Sequence, residues 1–190
     1  MNNAGPILAF LSKEGYENVS RTNRGGDGYS LGRMHLRFIS QWKKDGRKID
    51  VLESESESAI DPLKSFHSTL VMNFIAWNSI SVLYPSLTFR KIAIVQDATG
   101  QRGSWWRKKY SARGFDIKDH DKALQDACLV CPGLHRSVDD QNSLNIYFDT
   151  DEENLVPHPQ LYTSWNFQTT NTKHALCREV CLFASTVNEA

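Results

Sequence analysis

The stretch that most constrains the fold runs from Arg47 to Phe89: RKIDVLESESESAIDPLKSFHSTLVMNFIAWNSISVLYPSLTF. It joins a short alternating strand pattern with one acid inside it, an acidic-serine run, and the most apolar segment of the chain, in which a His, an Asn and a Tyr-Pro are embedded. Apolar residues repeating every second position, with turn residues between the runs, call for strands paired as hairpins.

The first hairpin is set by Asp45-Gly46, whose residue types suit the left-handed backbone of a tight turn. Before it, Met34 to Trp42 alternates, with Met34, Leu36 and Phe38 inward; after it, Lys48 to Glu53 forms the partner strand. If Ile49 and Val51 face one side, Asp50 and Leu52 face the other, so Asp50 projects from the middle of a sheet surface. It reads either as a solvated acid paired with Arg47 or cross-strand Arg37, or as a residue that carries chemistry.

Glu53, Glu55 and Glu57 alternate with serines and read as a solvated loop. Asp61-Pro62 suits the N-cap and first turn of a short helix, and Asn78-Ser79 suits a turn within a second hairpin built on Val71, Phe74, Ile75, Ile80, Val82 and Leu83 as core. His67 and Asn73 are polar groups in this apolar run. Buried, they need hydrogen-bond partners, and they serve either to fix the hairpin or to bind substrate.

Elsewhere, Pro6 and the Ile7, Leu8, Leu11 stripe predict an N-terminal helix closed by Gly15, followed by a loop from Tyr16 to Gly32. The glycine run RGGDGY within that loop matches neither common phosphate-binding pattern. Trp105 to Ala112 reads as a short helix on which Lys108 and Lys109 stand among Trp105, Trp106 and Tyr110. Cations with aromatic rings suit single-stranded nucleic acid or nucleotide, and equally a helix that buries its rings. Asn142 to Phe148 and Leu161 to Phe167 read as further strands, and His174 to Phe183 as a last short helix.

At 190 residues, one domain with its own core is expected across the whole chain, with residues 151–190 a less definite tail. Lysine plus arginine and aspartate plus glutamate both number 22, so no global field draws polyanions and any such contact must be local. The longest apolar run, Leu70 to Leu83, is too short and too often interrupted to span a bilayer, so no membrane partner is expected. No export signal is visible, which together with four cysteines predicts an intracellular, reducing setting. Those cysteines form two close pairs, Cys128 with Cys131 and Cys177 with Cys181. They could supply a four-thiolate structural zinc site, stay as buried reduced thiols, or form disulfides.

The series ILAFLSKEGY, RKIDVLES, FHSTLVMNFIAWN with LYPSLTFRK, KKYSARGFDI and CLVCPGLHRSVDDQNSLNIYF resembles a large group of uncharacterised fungal proteins, abundant in mushroom-forming species, that look like nucleotidyltransferase-fold domains. The resemblance covers about residues 5–150. It implies an α/β (α+β) domain, a mixed or antiparallel sheet with flanking helices, whose strands carry up to three acids holding Mg²⁺ against nucleotide phosphates. Asp50 matches the third acid. The first two belong on an Asp-x-Asp strand ahead of the first helix, where this sequence has only MNNAG. An incomplete nucleotidyltransferase-like fold is therefore expected, catalytically silent and binding a nucleotide, RNA or protein partner, with activity at Asp50 if upstream acids were supplied.

Overall fold

Pro6 in the first turn and the left-handed Gly15 (φ 77°) bracket helix α1 (Gly5–Lys13), where Pro has no N–H to lose and Gly tolerates the reversal. The computed structural model describes residues 4–23, 36–96, 104–119, 135–148 and 163–167. The chain divides into two compact units, Met1–Pro62 with His158–Leu161, and Leu63–Pro157 with Tyr162–Ala190.

In the first unit, β1 (Glu17–Asn23), β2 (Leu36–Lys44) and β3 (Arg47–Ser54) form an antiparallel sheet in that order. Asp45 (φ 48°) and Gly46 (φ 74°) both take the left-handed conformation at the β2-β3 turn, and Lys44 pairs with Arg47. This is the primed turn whose twist matches paired strands. β2 buries Leu36, Phe38, Ser40 and Trp42 on alternate positions, while β3 buries Val51 and leaves Asp50 and Leu52 exposed. Leu11, Trp42 and Val51 form a core against which Ala4, Leu8, Tyr16 and Ile49 pack. The expected loop from Tyr16 instead begins as the strand β1. Its residues are almost all exposed, because an edge strand needs only backbone pairing to β2 and its polar side chains lose no water.

In the second unit, β4 (Asn73–Ile75), β5 (Ser79–Val82) and β9 (Leu144–Tyr147) make a second antiparallel sheet, and β8 (His135–Ser137) pairs with β10 (Ser164–Asn166). The second hairpin is present, but its apolar residues do not all point inward. Ile75, Ile80 and Ile146 stand in one cross-strand row, in which Ile75 is 74% and Ile146 50% exposed, whereas Leu83 is fully buried. Tyr84-Pro85 opens the short helix α2 (Pro85–Thr88). Parallel strands β6 (Ile92–Val95) and β7 (Asp116–Asp119) are joined through helix α3 (Ser104–Ser111), a β-α-β unit that the sequence reading did not contain. All four β6 residues are buried.

The described architecture is thus mixed α/β, with small antiparallel sheets, one parallel pair and few helices. Among the described residues no helix is long and apolar enough to cross a membrane.

Candidate nucleic-acid interface

Helix α3 is positioned by one of its two tryptophans. Trp106 is buried and stacks on His67, with ring centroids 4.0 Å apart and planes 21° from parallel, while its neighbour Trp105 is 65% exposed. Adjacent residues on a helix are about 100° apart, so seating one tryptophan turns the other outward.

The His67 segment is itself tightly held. His67 O accepts the Gln96 N–H at 2.9 Å, and Gln96 Nε2 donates to Phe66 O at 2.8 Å and Lys64 O at 3.2 Å. Thr69 Oγ1 accepts the Ile94 N–H at 3.0 Å, and Ser68 bridges to Val95. The block from Phe66 to Thr69 is therefore stitched along β6, and the imidazole it presents is the platform for α3. Tyr110, 6.2 Å from the His67 ring, packs edge-on against Phe115.

Around these rings stand three cations, and Lys108 is exposed on the same helix. The Arg107 guanidinium bonds Asp119 at 2.5 Å and lies 5.2 Å from the Trp106 ring. Lys109 Nζ lies 5.7 Å from the Trp105 ring and 5.4 Å from that of Tyr110, and the Arg113 guanidinium lies 5.2 Å from Tyr110. Among the described residues Lys108, Lys109 and Arg113 meet no carboxylate in a salt bridge. The result is an exposed indole with the Lys109 ammonium beside it, and the Arg113 guanidinium on the neighbouring Tyr110 ring, groups that can stack a base and neutralise nearby phosphates.

The same cations act on His67. Burial, which disfavours the imidazolium, and then the charges of Arg107 and Lys109 lower its pKa from 6.5 to about 4. Between roughly pH 6.5 and 4 the unfolded chain takes up a proton that the folded chain refuses, so stability falls as pH is lowered through that window and is unaffected above it. The full shift corresponds to about 3 kcal/mol, and partial solvent access to the ring reduces this to about 1–2 kcal/mol. His67→Phe keeps a stacking ring and removes the titration. Its urea midpoint is expected to move less than that of the wild type between pH 7.5 and 5.0, and equal movement would exclude His67 as the source.

Of the residues singled out in the sequence, His67 packs on helix α3, which carries Lys109 near it and Lys108 at an exposed position. Asn73 is not part of this surface: it opens β4, and its Nδ2 donates to Leu70 O at 2.9 Å. Asp50, in the first unit, pairs Cα to Cα with Gln41 and has Lys48 Nζ 3.5 Å away, its side chain 44% exposed. Arg37, read as its cross-strand partner, instead bonds the buried Glu53 at 2.6 Å. Glu53 is therefore not part of a solvated acid comb: its shorter route is inward, to a guanidinium and to the Ala4 N–H at 3.0 Å. A lone carboxylate beside an ammonium is a poor donor set for Mg²⁺, which wants several hard oxygens, and among the described residues no three His, Cys, Asp or Glu side chains gather. Asp50 therefore does not fit the ion that the resemblance implies. Cys128, Cys131, Cys177 and Cys181, the proposed zinc ligands, lie outside the described residues.

A second cluster went unread in the sequence. Arg136, with a side chain 1% exposed, donates from Nε and Nη2 to the two carboxylate oxygens of Asp140 at 2.5 and 3.1 Å, and from Nη2 to Leu83 O at 2.6 Å. Its guanidinium lies 4.5 Å from the Tyr84 ring and 5.7 Å from that of Trp165, whose Nε1 donates to Tyr84 Oη at 3.0 Å. Burial alone would raise the Asp140 pKa, but hydrogen bonds from Arg136 and the Ser137 N–H outweigh it and hold the carboxyl below its usual range. Burial pushes the Tyr84 hydroxyl up, against the opposing bond from Trp165. In the sequence Arg136 stands between His135 and Ser137, ahead of Asp139-Asp140, and nothing local marks it as buried. This cluster is buried and, apart from the unpartnered Arg136 Nη1, bonded inward, an anchor for the core rather than a binding surface. Comparison of the chain with protein-family models, curated proteins and solved structures finds no match.

Proposed function

We propose that this chain is a binding module for single-stranded nucleic acid, engaging bases on Trp105 and phosphates through Lys108, Lys109 and Arg113. The observation that carries this reading is the exposed Trp105 indole with the Lys109 ammonium 5.7 Å from its ring, on a helix whose other tryptophan is buried. Trp106 meets the packing need of this helix by stacking on His67, so the outward indole of Trp105 is left available to stack a base. Balanced overall charge agrees with a short local contact rather than a long polyanion track.

Fluorescence anisotropy of labelled 12-nucleotide RNA and DNA oligomers tests it. Saturable binding is expected that weakens with salt along a log-log slope of about −2, as three neutralised single-strand phosphates require. No saturation up to ~100 μM protein at low salt, or binding indifferent to salt, would sink the proposal. The nucleotidyltransferase-like reading through Asp50 makes a separable forecast: a Mg²⁺-dependent calorimetric signal with NTP, lost in Asp50→Ala. Observing that signal would make this an NTP-binding enzyme-like domain instead.

A further inference from the structure

We propose a second ligand site in the first unit, a cleft between α1 and the β1-β2-β3 sheet that takes a small monoanion, a carboxylate or phosphate ester, carried on an apolar body. The cleft holds about 550 Å³ and is lined by Leu8, Arg21, Asn23, Arg37, Phe38 and Glu53, along with Gly5. Small-molecule sites run from about 300 to 1,000 Å³, with mostly apolar walls and a few fixed polar groups; this cleft matches them in size and lining and is open to solvent.

The polar groups here are fixed in two different ways. Arg37 is the extra residue where the β2-β3 register shifts between Leu36 and Phe38, and such bulges re-aim side chains. Its guanidinium reaches Glu53 Oε1 at 2.6 Å, and the other carboxylate oxygen is taken by the Ala4 N–H at 3.0 Å. Glu53 thus neutralises Arg37 and holds it at the wall. Arg21 is different. Its guanidinium lies 4.3 Å from the centre of the buried Phe38 ring, and among the described residues it meets no carboxylate in a salt bridge.

Stacking on a ring leaves the guanidinium's N–H fork along its edge, held in a geometry that suits an oxyanion. One uncompensated positive charge with a held orientation selects a single negative charge, and Leu8 and Phe38 supply apolar wall for the body that bears it. Phe38 and Glu53, paired Cα to Cα, form the buried floor of the cleft, while Gly5, Arg21, Asn23 and Arg37 line its solvent-exposed rim. Asp50 and Lys48 are exposed positions of β3 and do not line it.

Titration of the ¹⁵N-labelled full chain with phenyl phosphate, benzoate and inorganic phosphate decides the matter. Saturable shifts are expected at Leu8, Arg21 and Phe38, with a Kd of about 1 mM or tighter for phenyl phosphate or benzoate, and at least roughly ten-fold weaker binding of inorganic phosphate. Whichever of the first two binds more tightly assigns the anion as phosphate ester or carboxylate. Arg21→Gln, at an exposed edge-strand position, should weaken binding about ten-fold or more while Lys48→Gln leaves it unchanged. Three results overturn the proposal: no saturable shift by ~10 mM, wild-type affinity in Arg21→Gln, or inorganic phosphate binding as tightly as phenyl phosphate.

Discussion

Arg136→Ala is expected to destabilise the second unit by about 3–5 kcal/mol, read as a large fall in the urea midpoint of its unfolding. The magnitude follows from what the substitution leaves behind. Asp140 loses the guanidinium that grips both its oxygens, Leu83 O loses a 2.6 Å donor, and the rings of Tyr84 and Trp165 face a void. A buried pair need not be a net gain over an apolar filler, but removing one member of it strands the other. Arg136→Lys should recover only part of the loss, because an ammonium cannot span both carboxylate oxygens and lie flat against a ring. The depressed Asp140 pKa gives this a pH signature. The pair's contribution is present above the ordinary carboxylate range and disappears as pH falls through the lower folded value, so the gap between wild type and Arg136→Ala should narrow in acid to the share left by the void and the Leu83 carbonyl. A cost below about 1 kcal/mol at neutral pH would show that the cluster is not the anchor of this core.

The second large effect is on binding. Trp105→Ala should weaken single-strand affinity roughly ten-fold, within the range that removal of a stacking ring gives. Lys108→Gln with Lys109→Gln should reduce the salt slope by about 1.4, two phosphates' share. Because Trp105 is mostly exposed, far-UV circular dichroism and the melting temperature should be nearly unchanged in its variant. Trp106→Ala gives the contrasting pattern, since it removes the buried ring on which His67 stacks and should lower stability first. Affinity retained in Trp105→Ala would move the contact elsewhere on the chain.

What could be read from the sequence follows how local the determining interaction is. The β2-β3 hairpin was legible because Asp45-Gly46 carries its turn within two residues, and alternation then placed Asp50 outward. Helix α3 was legible from its length and composition, but which tryptophan is buried depends on His67, 39 positions earlier. Glu17 to Asn23 has no apolar period and so reads as loop, whereas an edge strand such as β1 needs none. Ile92 to Val95 was missed since a four-residue apolar run beside basic residues does not announce a parallel strand whose partner lies beyond a helix. Arg136 was invisible as an anchor for the same reason: the carbonyl it binds is 53 residues away. Ile75 shows the opposite failure, an apolar residue expected in the core that is 74% exposed in its cross-strand row with Ile80 and Ile146.

The bond from Trp165 to Tyr84 spans 81 residues, and that separation bears on how the chain is made. At about 5–20 residues per second a ribosome needs roughly 4–16 s to pass from one to the other. During that interval the Tyr84 ring is already synthesised while the indole that covers it, and the strand β10 that carries the indole, do not yet exist. Native closure around Arg136 is thereby a late event of synthesis, set by translation speed, whereas the β2-β3 hairpin can pair as soon as its last residue clears the exit tunnel.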